Sequence, residues 1–194
     1  MAKNNNKHKT LLIEVAAQHP LKNGEFPNEE FKSRLDSCIR YYKDEYNNFE
    51  KIYIYIPGSR HTFNGVDDKI SLSDAGKNYL ISKSIPADCI FGEDANNKYK
   101  YNEGVYNSID ECYVSSKIYE DNNFSDIACF CSPAQLHRKA LAYIKFGIIP
   151  NMYSVPEDLM FHDYVDEVFK YIPALINGHK DNINDKIKKS RKPD

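Results

Sequence analysis

Glu93 follows a short apolar run. A carboxylate leaving an ordered segment there could activate water as a general base, or hold ribose hydroxyls through its two oxygens. Arg60 and Arg138 carry guanidinium groups, always charged and forked to match a phosphate or carboxylate. The same fork suits an ion pair with an internal carboxylate such as Glu93 or Glu111. Gly58, Ser59 and His61 flank Arg60, and His61 with Asp67 and Asp68 reads as an acid–base grouping, a weak metal site or a solvated polar loop. Ser132-Pro133 and residues 71–74, with Ser73 among them, read as helix openings whose N–H groups attract anions; the serines also serve as plain caps. Asn107 and Asp110 are spaced to share one helical face. Gln135 stands one turn before Arg138, and His137 points to solvent. Metal binding needs at least three converging ligands, and no His-x-x-x-His or comparable pattern exists, so no metal site is expected. Ser132 lies between Cys131 and Pro133, which is not a nucleophile elbow.

The elements that must position these groups alternate between strand and helix about five times. Residues 11–17 read as the first strand. Asn28 caps a helix carrying Phe31, Leu35, Ile39, Tyr42 and Tyr46 at helical spacing, with Arg34 clamping that helix to a loop. Residues 52–56 form a second strand stopping at Pro57-Gly58, and Ser71 or Ser73 caps a helix reaching Ser82. Residues 88–91 are a short third strand, 92–104 a polar stretch without period, and Val105 to Tyr119 a helical stripe. Residues 126–131 are a strong strand, followed by a helix from Ser132-Pro133 that stops at Gly147. Residues 151–155 are the fifth strand and 163–175 a closing helix. This order predicts a three-layer α/β domain, its mostly parallel sheet of about five strands covered by helices on both faces. Ligands then sit outside the carboxyl ends of the strands. That narrows the site to Gln18 and His19, residues 58–61, Glu93 and Asp94, Ser132, and Ser154.

The 194 residues suit one domain over residues 10–177, with a flexible start at 1–9 and a basic flexible tail at 178–194. The tail is net +3 in a chain of net −2, so a global field for gripping nucleic acid is missing. No apolar run approaches the roughly 20 residues of a membrane span. The polar start lacks a signal-peptide core, since 11–17 is short and contains Glu14; a cytoplasmic protein is the expectation. Five cysteines, an odd number, read as reduced and mostly buried, with Cys129 and Cys131 on one strand face. Among 15 tyrosines, Tyr99, Tyr101 and Tyr106 lie in or beside the long polar stretch, either as a lid or packed onto the body.

Ser73-Asp74-Ala75, then Leu80, Ile85-Pro86, Ile90 and Glu93 resemble the SanA/YdcF/ElyC-like family, where Ser-Glu-Ala is followed by Leu, Gly-Val-Pro, Ile and Glu at the same spacing. Residues 107–111 are similar to its Asn-Thr-x-Glu-Asn. Residues 132–138 resemble its Ser-x-x-His-x-x-Arg, with Gln135 in place of His and Arg138 on the Arg. Arg34 lies where the family has an Arg on its first helix, and Pro57-Gly58-Ser59 replaces Ser-Gly-Gly. The likeness covers about residues 10–155. It departs where Ala16-Ala17-Gln18 replaces a glycine-rich turn and where an insertion separates Glu93 from Asn107.

The resemblance implies a Rossmann-like domain and an anionic or nucleotide-like small-molecule ligand, S-adenosylmethionine in some members. One expectation is an enzyme, a transferase or hydrolase, with Glu93 as base or ribose contact and Gly58, Ser59, Arg60, His61, Ser73, Asn107, Asp110, Ser132, Gln135 and Arg138 around the ligand. The other is a binding or regulatory module without chemistry of its own, motivated by the absent glycine turn and the Gln at position 135. Neither names a cofactor or an oligomeric state.

Overall fold

The computed structural model describes residues 9–63, 66–100 and 104–157. Five strands form one sheet: β1 (Thr10–Val15), β2 (Lys51–Tyr55), β5 (Ile90–Phe91), β6 (Asp126–Cys131) and β7 (Asn151–Ser154). Their order is β5-β2-β1-β6-β7, and every neighbouring pair is parallel. A small antiparallel hairpin, β3 (Thr62–Phe63) with β4 (Val66–Asp67), stands apart. The helices are α1 (Glu29–Glu45), α2 (Leu72–Ser82), α3 (Glu93–Tyr99), α4 (Ser108–Asp121) and α5 (Leu136–Lys145). This is a three-layer Rossmann-like α/β fold, with the sheet wholly rather than mostly parallel.

Burial follows from the pleat. Leu11, Ile13 and Val15 of β1 point to one face and pack with Phe31, Leu35 and Cys38 of α1 and with Leu72 and Leu80 of α2. Leu12 and Ala16 point to the other and pack with Cys112, Val114 and Ile118 of α4 and with Ala142 and Tyr143 of α5. A central parallel strand is covered on both sides, which is why β1 beyond Thr10 is buried throughout.

Asn28 caps α1, accepting the Phe31 N–H at 2.9 Å. Ser71, not Ser73, caps α2, through the Asp74 N–H at 2.9 Å. Three expectations need correction. The polar stretch after β5 contains α3, a short helix burying only Ala95 and Asn96. The strand before it is preceded by a 3-10 turn at Ala87–Cys89, so only two residues remain extended. Pro133 does not open a helix: residues 133–135 form a turn, and α5 starts at Leu136. The expected closing helix at 163–175, the start before residue 9 and the basic tail lie outside the described residues. No helix among the described residues is long and apolar enough to cross a membrane.

Candidate functional site

Successive strands step from β1 to β2 to β5; the chain then crosses to the other side of β1 to lay down β6 and β7. The reversal falls between β1 and β6, and the carboxyl ends of strands at such a reversal are where open α/β sheets place their ligands. Arg34 holds the segment that leaves β1 there. Its Nη1 donates to the Ala16 and Ala17 carbonyls at 3.0 and 3.3 Å, its Nη2 to Gln18 Oε1 at 3.3 Å, and its Nε to Glu157 Oε1. Both members of the ion pair are buried. The segment after β1 is therefore held by its carbonyls from α1, as the clamp reading of Arg34 expects.

Around this turn three segments meet through their rings. His19, just after β1, stacks on His61, after β2, with centroids 4.9 Å apart and planes 17° from parallel. Tyr106, just before α4, meets His61 edge-on at 5.4 Å. Ser59 ties the same two segments: its N–H donates to the Val105 carbonyl and its Oγ accepts the Val105 N–H, both at 3.0 Å. Gly58 makes this approach possible. Its φ is +104°, and an added Cβ would lie 2.9 Å from Leu72 Cβ. Its carbonyl accepts the Ser73 N–H, while the Ser73 hydroxyl turns inward to the Ile56 carbonyl at 2.6 Å.

Glu93 opens α3 just after β5. Its Oε2 accepts from Asn96 Nδ2 at 3.2 Å. Burial raises its carboxyl above the ordinary value; the Asn96 and Ser71 hydrogen bonds oppose this, and the charges of Asp74 and Asp94 add to it. Tyr106 is raised by burial and then by Glu93 and Asp110, so its phenol stays a donor. The half-buried Glu93 is thus poised for proton exchange or for gripping hydroxyls.

Other expected residues are occupied differently. Arg60 Nε donates to the Asp68 carbonyl at 2.7 Å, and its Nη2 is 3.8 Å from Asp67 Oδ2; the side chain remains about half exposed. Asn107 caps α4, accepting the Ile109 and Asp110 N–H groups, and its amide donates to Asp110 Oδ2 at 2.8 Å. The amide and carboxylate expected to face a ligand together serve the helix start. Ser132 is buried, and its Oγ accepts the Gln135 N–H at 3.2 Å across the turn. Gln135 Oε1 is buried and meets no donor among the described residues. Arg138 is half-buried on α5 and His137 is exposed, as expected. Tyr99 packs onto the α4 side of the core, the body-packing alternative to a lid. Among the described residues no group of three or more His, Cys, Asp or Glu could hold a metal ion.

Sequence reasoning missed a buried charged cluster. Glu14, the penultimate residue of β1, is fully buried and bonded to Lys139 Nζ. Lys139, also fully buried, lies 2.6 Å from Glu111 Oε2. Burial works against the charge on Lys139, but Glu111 and Glu14 outweigh it and hold the ammonium well above its ordinary value. Glu14 is raised by burial, opposed by Lys139 and assisted by Glu111. Nearby, the Tyr143 hydroxyl donates to Ser115 Oγ at 2.8 Å. A signal existed: Lys139 shares a helical stripe with Ala142, Tyr143 and Phe146, so its Cβ had to face the core. No family model matches this chain, and no curated protein does.

Proposed function

We propose that the chain binds an anionic or nucleotide-like small molecule beyond the carboxyl ends of β1, β2 and β5, with Glu93 as general base or ribose contact. The observation that carries this reading is the meeting of His19, His61 and Tyr106 through their rings and of Ser59 with Val105, on segments that follow different strands beside the reversal of strand order, with Glu93 opening α3 just after β5. Arg60 supplies the anion contact, since one nitrogen is anchored to a backbone carbonyl and the rest of its fork is half exposed. The likeness to SanA/YdcF/ElyC-like domains supports the same place and ligand class, S-adenosylmethionine included, through Ser73, Glu93 and Arg138. The turnover proposed is transfer or hydrolysis. A cytoplasmic setting accords with five unpaired cysteines.

A non-catalytic module is the second reading. It is favoured by the internal pairing of Asn107 with Asp110 and of Arg34 with Glu157, which leaves those groups committed to structure. Thermal-shift measurements with nucleotides, S-adenosylmethionine and sugar phosphates test binding, and mass spectrometry of the incubated ligand tests turnover. A ligand at about 100 times its Kd stabilises by about 2.7 kcal/mol, enough to read as a clear rise in Tm. Folded Glu93→Gln and Arg138→Ala proteins should lose that rise. If both keep the parent's binding and turnover, the site is elsewhere.

A further inference from the structure

We propose that Tyr55 and Asn96 are positioning residues: the Tyr55 hydroxyl fixes the Asn96 amide so that its NH2 group always faces Glu93. The function of this relay rests on the reading of Glu93 as the ligand-facing carboxylate; its existence does not. Tyr55 ends β2 and is fully buried. Its hydroxyl donates to Asn96 Oδ1 at 2.7 Å, and Asn96 Nδ2 donates to Glu93 Oε2 at 3.2 Å. Asn96 is itself 1% exposed, so water does not compete for its amide.

An amide can face either way, and a phenol can donate or accept. With Glu93 ionised, only one arrangement satisfies all three groups. With the amide reversed, its carbonyl would oppose the Glu93 carboxylate, two acceptors face to face, and Tyr55 would have to accept. Tyr55 lies in register with Glu14 on β1, and burial, then Glu14 and Glu111, raise its phenol well above the ordinary value, so at neutral pH it keeps its proton as any phenol does. Tyr55 thus orients Asn96, and Asn96 holds Glu93.

The test is a titration of side-chain carboxyls by carbon NMR, with Glu93 assigned from the Glu93→Gln spectrum. Other groups act on Glu93 from α2 (Asp74), from the loop before it (Ser71), from α3 (Asp94) and from the segment before α4 (Tyr106); all are retained in the variants. In Tyr55→Phe the amide is free to turn, and the Glu93 midpoint should rise by about one pH unit. Asn96→Asp, which sets a carboxylate against Glu93, should raise it further and serves if Tyr55→Phe does not fold. A midpoint that stays put or falls in a folded variant overturns the relay. The thermal-shift screen reports separately. If Glu93→Gln keeps the ligand-induced shift while Tyr55→Phe moves the Glu93 midpoint, the ligand reading fails and the relay stands. If Glu93→Gln loses the shift while the midpoint is unmoved in Tyr55→Phe, the relay alone fails.

Discussion

Lys139 brings a charge into the buried core, where the carboxylates of Glu14 and Glu111 make it tolerable. Replacing it by Met leaves Glu14 and Glu111 facing each other without a cation. That should cost about 3–5 kcal/mol at neutral pH. The loss should shrink in mild acid, where the carboxyls take up protons; urea unfolding at pH 7.5 and at pH 5 checks both the size and the direction. A pH-independent loss would place the effect in packing instead. The parent protein has its own signature. Lys139 is raised on folding, so its contribution is complete below the ordinary lysine value of 10.5 and fades as pH climbs through the raised one. Glu14 is also raised, so unlike a salt-bridged surface carboxylate it favours the folded state most in acid and loses that contribution as pH rises through its folded value.

At the scale of elements, α1 does more than cover the sheet, because Arg34 reaches from it to the end of β1 and to Glu157 beyond β7. Arg34→Met keeps the stem but strands Glu157 and two carbonyls. A destabilisation of about 3–5 kcal/mol is expected in chemical denaturation, against about 1–3 for Glu157→Gln, which leaves the backbone contacts intact. An equal, small loss in both would mean the guanidinium is not the clamp. The legibility of these elements in the sequence differs for physical reasons. β6 was readable to the residue because a run of Ile, Ala, Cys, Phe and Cys between polar ends has no other stable use. The Asn28 cap was equally plain. By contrast, α3 buries two side chains and therefore leaves no apolar stripe to find. The hairpin strands are two residues long, too short to leave a period in the sequence. In the candidate site, Glu93 and the loop at 58–61 were visible because alternation alone puts them at strand ends. The Glu14–Lys139 pair was not, since it joins residues 125 apart and breaks the rule that charges stay outside.

Across the whole molecule, one parallel sheet covered on both faces keeps most of the cysteines away from solvent. Sulfur shows what this means. Cys38, Cys112, Cys129 and Cys131 are buried, and only Cys89 is partly accessible. Burial holds the thiols of Cys38, Cys112 and Cys129 up; Cys131 is lowered by the hydrogen bond from Cys129, with burial opposing, yet it is sealed beneath the turn that follows β6. An alkylating reagent applied to the native protein should therefore add one mass increment, slowly, at Cys89. With reagent concentrated enough that alkylation outpaces refolding, the remaining four should arrive together, at the pace of global opening, so intact-mass spectra would jump from one adduct to five. Stepwise accumulation of intermediate adducts would instead reveal that one face of the sheet can come away without the other. Two layers locked to a shared sheet thus carry an internal stopwatch: the delay before the hidden sulfurs react is the lifetime of the native state.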